Sequence, residues 1–209
     1  MTVTSKPGSA GKIHVYIDGE YKLTLYDDTW YRMGIKEGQQ ITDERLAALQ
    51  EEAGFRSAYE KALRLLGVRA YSKKELTDKL CIKFSRENAE RAVEKAAGYG
   101  YIDDEAYARE YALYLFEKKK YDVKRIRTEL KIKGINAETA DNILKTLDNE
   151  PIERIIVMLR SKYENGFPSP KEQKRFVSKL MRLGYSFGNI RAAFEECGFD
   201  INENRNFEL

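Results

Sequence analysis

Residues 71–80 read YSKKELTDKL, residues 121–130 read YDVKRIRTEL and residues 185–194 read YSFGNIRAAF. Each opens with a tyrosine followed by a short polar residue suited to capping a helix: Ser72, Asp122 and Ser186. Four residues past the cap stands an aliphatic side chain, Leu76, Ile126 or Ile190, and four further on another apolar one, Leu80, Leu130 or Phe194. An aromatic before the cap closes over the residue four positions beyond it as a hydrophobic staple, and the i, i+4 spacing keeps the apolar residues on one helix face. One staple is common; three in register predict a duplicated helical unit. Gly134 and Gly198, twelve residues past their caps, predict helix ends, whereas the first copy has Phe84 there. Ser72 and Glu75 form a capping box in the first copy; Arg125 and Asn189 hold the matching place in the other two.

Working outward, helical periodicity precedes each copy, over Ala58–Leu66, Asp104–Lys118 and Glu172–Leu183, and follows the first two, over Glu87–Ala97 and Ala137–Leu147. Three helices per unit is the economical reading. The first two tyrosines are 50 residues apart and the second pair 64, and the extra 14 match an additional helix over Pro151–Glu164, with proline at a permitted first-turn position. No room remains after Phe199 for a full final helix. Small units of this kind must share surfaces to bury enough apolar area, so the expected fold is mainly α, an elongated, curved tandem array of three-helix repeats.

The N-terminal part differs. Residues 1–12, with Pro7, Gly8 and Gly11, are expected to be a flexible tail. Ile13, Val15 and Ile17 alternate on one face, Asp18-Gly19 supplies a type I′ turn, and Tyr21, Leu23 and Leu25 return. Two strands alone are marginal, so Trp30, Tyr31, Met33 and Ile35 are expected to cover the hairpin. Thr42, before Asp43 and Glu44, caps a helix that Leu46 and Leu49 continue. The predicted organisation is a tail at 1–12, a β-hairpin extension at 13–42, a connecting helix at 43–57, and repeats at 58–100, 101–149 and 150–209.

Composition narrows the function. The 209 residues are 42% hydrophobic and 34% charged, which argues against one thick globule. No stretch is apolar enough for a membrane span or signal peptide, so a cytoplasmic protein is expected. Cys81 and Cys197 sit far apart in apolar helical patterns and read as buried reduced thiols; His14, the sole histidine, reads as an exposed strand residue. Gly98-x-Gly100 lacks a third glycine and a preceding strand, and no phosphate-cradling Gly-Lys-Ser/Thr loop exists. Adjacent Asp103 and Asp104 read as a helix start, capped by Asp103 and stapled by Ile102 and Tyr107, rather than as a carboxylate pair. An enzyme is therefore the least favoured class, and no cofactor or metal is expected.

Charge is uneven. Residues 58–135 carry 19 basic against 13 acidic side chains, while the flanks are near balance, and the whole chain is only +3. Lys124, Arg127 and Lys131 fall at i, i+3, i+7, away from Ile126 and Leu130. Such a face is by default merely solvated, but it also suits phosphates or an acidic protein surface. Tyr107, Tyr111 and Tyr114 repeat at helical spacing, which favours packing over base stacking. A helix-turn-helix DNA-binding module and a scaffold for another protein remain alternatives.

Further residues carry a resemblance. Ala62-Leu63-Arg64-Leu65-Leu66, then Arg69, Ser72, Glu75, Leu76 and Leu80, resemble the first repeat of the RecX family. Residues 99–108, with Gly100, the Asp103-Asp104 pair, Tyr107 and Ala108, are similar to that family's most diagnostic stretch. Lys124-Arg125-Ile126, Glu129-Leu130 and Lys133-Gly134-Ile135 match its second repeat, and the hairpin resembles the N-terminal extension of members from Gram-positive bacteria. Two departures stand out: residues 118–121 read Lys-Lys-Lys-Tyr where many members have a glycine before the helix, and the third repeat matches loosely. Specific motifs cover 58–135; the pattern extends weakly over the rest. The resemblance implies a non-enzymatic, monomeric regulator whose repeats lie in the groove of the RecA filament on single-stranded DNA. It further implies inhibition of recombinase, ATPase and co-protease activities in DNA repair and the SOS response, with room for a weak single- or double-stranded DNA contact. On that reading Lys73, Lys74, Lys118, Lys119, Lys120, Lys124, Arg125, Arg127, Lys131 and Lys133 are the candidate contacts, and the signature residues Leu63, Arg69, Ser72, Glu75, Leu76, Leu80, Gly100, Asp103, Asp104, Ala108, Ile126, Leu130, Gly134 and Ile135 are structural.

Overall fold

Three strands, β1 (Val3–Pro7), β2 (Lys12–Ile17) and β3 (Glu20–Tyr26), form an antiparallel sheet in that order in the computed structural model, which describes residues 1–147 and 150–201. The hairpin turn has Asp18 at φ 49° and Gly19 at φ 85°, the positive pair a type I′ turn needs. The first twelve residues are not a loose tail. Val3 is fully buried opposite Ile17, and its backbone also exchanges 2.9 Å hydrogen bonds with Gln39 and Gly38. Strand pairing satisfies the backbone and the sheet face takes the valine, gains that composition alone does not register.

A register shift between Val15 and Tyr16 sets Tyr21 opposite Tyr16, so Tyr21 leaves the apolar face and stands 56% exposed, its ring edge-on to Tyr16 at 5.9 Å. Val15, Ile17, Leu23 and Leu25 remain inside. His14 is half-buried rather than exposed, with Nδ1 2.8 Å from the Thr24 hydroxyl. The short helix α1 (Asp27–Arg32) covers the sheet with Trp30, helped by Ile35 and Met33; Tyr31 points to solvent instead.

Helix α2 (Asp43–Leu66) starts where Thr42 accepts a hydrogen bond from the Arg45 N–H at 3.3 Å. It is continuous over 24 residues, so the expected connecting helix and the first repeat helix are one rod. Gly54 does not break it, because a Cβ there would lie 2.6 Å from the Asn88 amide: the glycine is the seat of the neighbouring helix. That neighbour, α4 (Arg86–Gly98), packs with α2 and α3 (Lys73–Leu80) around Ala58, Ala62, Leu76, Leu80, Ala89 and Val93. A second core forms around Ala108, Ala112, Ile126, Leu130 and Ile143 from α5 (Asp104–Glu117), α6 (Val123–Ile132) and α7 (Ala137–Leu144). A third draws Ile156, Leu159, Leu180, Ile190 and Phe194 from α8 (Pro151–Tyr163), α9 (Pro170–Arg182) and α10 (Phe187–Glu196). Here α8, the additional helix, packs on α10. Residues 148–149 and 202–209 of the expected second and third repeats lie outside the described residues.

The chain is thus mainly helical with a small sheet, and it divides into two units, Met1–Asp103 and Asp104–Leu209. The three staples hold. Ser72, Asp122 and Ser186 each accept a backbone N–H, at 3.1, 2.9 and 3.2 Å, and Leu76, Ile126 and Ile190 are fully buried. Each such aliphatic side chain contributes about 1.5–3 kcal/mol on burial. Gly134 and Gly198 close their helices at φ 83° and 76°. Cys81 and Cys197 are free and half-buried.

Candidate partner-binding face

Helix α6 owes its orientation to its two faces. Ile126 and Leu130 are wholly buried, which turns Lys124, Arg127 and Lys131 outward. Its first turn carries Lys124 and Arg125 and no acid, so two cations sit at the positive end of the helix dipole, where they weaken the helix by a few tenths of a kcal/mol each. The preceding turn adds Lys118, Lys119 and Lys120, all exposed. Lys118, Lys120, Lys124 and Lys131 make no ion pair among the described residues. Lys119 lies over the Tyr114 ring at 5.5 Å. A cleft between α6 and the end of α9, lined by Tyr121, Lys124, Arg125, Thr128, Met181, Arg182 and Gly184, extends this basic surface.

Other candidates are already engaged. Arg125 pairs with Glu129 at 2.7 Å, and Arg127 pairs with Asp141 on α7. Lys133 is half-buried, 5.6 Å from the Tyr111 ring centre. Lys73 and Lys74 belong to the other unit and have carboxylates of their own, Glu94 at 3.9 Å and Asp78 at 2.8 Å. Of the tyrosine stripe, Tyr107 and Tyr111 stack at 5.8 Å as packing residues, while Tyr114 is 46% exposed.

Several of the signature residues sit at helix ends or in the cores. Arg69 lies 3.7 Å above the Tyr71 ring and forks onto both Glu75 oxygens at 3.1 and 3.2 Å, fixing the entrance to α3. Gly100, at φ 76°, closes α4, with the Tyr101 N–H donating to Ala96 and its own N–H to Ala97. Helix α5 begins at Asp104, leaving Asp103 at the cap position; Ile102 is buried in the first unit's core, Tyr107 and Ala108 in the second's. Ile135 is buried after Gly134, whereas Leu63 is 36% exposed.

Sequence reasoning did not single out Arg182, Gly184 or Arg154, and it read Tyr185 only as the staple tyrosine before Ser186. Arg182 and Gly184 share the cleft with α6, and a Cβ on Gly184 would meet the Arg125 Cβ at 2.6 Å. The loop glycine before Tyr185 was the available clue. Among the described residues no three His, Cys, Asp or Glu side chains gather as a metal site, and no helix is long and apolar enough to cross a membrane.

The fold and this face define a class: helical proteins of three-helix units that display a charged surface on their second unit. Residues 58–95 match the family description "RecX, first three-helix domain". The regulatory protein RecX of Caldanaerobacter subterraneus subsp. tengcongensis is 32% identical over 196 residues, 92% of this chain and 97% of its own length. That of Clostridioides difficile is 24% identical over 81% of this chain and 79% of its own. A crystal structure of a regulatory protein RecX shares the fold with a TM-score of 0.63 at 21% identity, covering 95% of this chain and 99% of that one. The structure of RecX from Lactobacillus salivarius has a TM-score of 0.53 at 22% identity over 69% of this chain and 97% of its own. The chain belongs to the RecX family of regulatory proteins.

Proposed function

We propose that this protein binds the RecA filament on single-stranded DNA in the cytoplasm and restrains its recombinase, ATPase and co-protease activities during DNA repair and the SOS response. The supporting observation is the set of exposed lysines on and before α6, Lys118, Lys120, Lys124 and Lys131, which have no carboxylate partner among the described residues. Surface charge of this kind gives attraction and orientation more than raw affinity, so the contact is expected to weaken with salt.

The test is a titration of RecA ATP hydrolysis on single-stranded DNA with the wild-type chain and with Lys120→Glu/Lys124→Glu/Lys131→Glu. The half-inhibiting concentration should rise about tenfold or more, whereas Arg127→Gln, which removes only a side chain already paired with Asp141, should change it little. Superimposable curves for wild type and the triple variant would remove this face from the interface. Cosedimentation beside RecA-free DNA separates the two sources of negative charge. A filament binder needs RecA, while a phosphate binder sediments with naked DNA and loses affinity steeply as salt rises.

A further inference from the structure

The turn that presents the lysines is held from outside itself. Lys120 sits at φ 60°, a left-handed conformation disfavoured for any residue with a side chain. Helix α5, which leads into the turn, has no basic residue in its last turn to meet its final carbonyls. Both needs are met by α8 and by the loop between α9 and α10. Arg154 of α8 lays its guanidinium 3.4 Å from the Phe116 ring centre. Its Nη2 donates to the Phe116 carbonyl at 2.9 Å and to the Tyr121 carbonyl at 3.3 Å, while Nε donates to the Tyr185 hydroxyl at 3.2 Å. That hydroxyl in turn donates to the Lys120 carbonyl at 3.1 Å. The Asp122 N–H closes the arrangement by donating to the Leu183 carbonyl at 2.9 Å. Tyr185 is only 3% exposed, and its burial raises the phenol above its ordinary range, against the pull of Arg154, so it stays a neutral donor.

Resting on the proposed filament-binding role, we propose that Arg154 and Tyr185 are positioning residues that clamp the backbone of 118–121, so that the third helical group acts on the partner through the lysines of the second. Independent units strung on one body would instead add their contacts separately. The two readings differ in what a change at Arg154 does to residues it leaves chemically intact.

Arg154→Lys keeps the charge but loses the fork and the flat stacking surface, and Tyr185→Phe removes one hydroxyl. In both full-length variants, hydrogen exchange at the Tyr121 and Asp122 amides should speed up about tenfold, while Ile190 and Phe194 in α10 keep their protection. Cosedimentation with RecA filaments should weaken at least about threefold, and that loss should vanish when Lys118, Lys119 and Lys120 are already glutamine. Unchanged exchange at 121 and 122 in Arg154→Lys overturns the clamp. An affinity loss that persists undiminished in the triple-glutamine background overturns it too, because Arg154 or its neighbours would then touch the partner directly. If the wild-type chain ignores filaments altogether, the proposed function fails, and the exchange comparison still decides whether the clamp exists.

Discussion

Replacing Gly184 by alanine asks how much of the second unit depends on one close approach. A Cβ at 184 would lie 2.6 Å from the Cβ of Arg125, 3.2 Å from its backbone nitrogen and 3.4 Å from its Cα. None of these is the tip of a flexible side chain, so relief requires moving the start of α6 away from the α9–α10 loop. That movement stretches the Asp122 to Leu183 hydrogen bond and the Tyr185 to Lys120 hydrogen bond. Overpacking of this kind costs roughly 1–3 kcal/mol. The backbone adds its own term: at φ +102° an alanine is strained by roughly 1–2 kcal/mol. The sum is about 2–5 kcal/mol. Gly198→Ala is the control in the same unit, for its φ is also positive, at +76°, but nothing lies within 4 Å of a Cβ there. It should lose only the backbone term, about 1–2 kcal/mol. Urea unfolding of both variants, with slopes checked for constancy, measures the difference. Equal destabilisation of the two would refute the close-approach argument.

Other outcomes follow from single residues. Lys120→Gly should relieve the left-handed strain and stabilise the chain by about 0.5–1 kcal/mol while weakening filament binding; loss of stability on thermal unfolding would contradict the first half. Asp122→Ala removes the buried cap of α6 and should cost about 1–2 kcal/mol, and Ser72→Ala about 1 kcal/mol for α3, both read by denaturant titration. The Tyr26 phenol is pushed up to about 12 by burial, with its hydrogen bond to Glu60 and that carboxylate's charge adding to the effect. Because the raised group is neutral when protonated, its contribution is complete below the ordinary value of 10.0 and fades as pH climbs toward about 12. The stability gap between wild type and Tyr26→Phe should therefore narrow across that window, and a gap independent of pH would count against the assignment.

Much of the fold was legible because its signals are local. A cap, a staple residue four positions on and a terminating glycine act within one helix, so Ser72, Ile126 and Gly198 read the same way in sequence and structure. The family resemblance was carried by the same kind of residue, and Arg69, Glu75 and Gly100 turn out to shape helix ends. The candidate face was legible only in part. Helical spacing placed Lys124, Arg127 and Lys131 together, but it could not tell that Arg127 is answered by Asp141 from α7 while Lys124 is not.

By itself, then, the sequence determined the helices, their caps, the Asp18-Gly19 turn and the outward side of α6, since each depends on neighbours within about two helical turns. Only the tertiary structure decided that Val3 joins the sheet, that Tyr21 turns outward, that α2 runs unbroken past Gly54, and that Arg154 closes α5 from 38 residues away. Each of those outcomes rests on a partner distant in the chain, and no periodicity or local propensity records which distant partner will arrive.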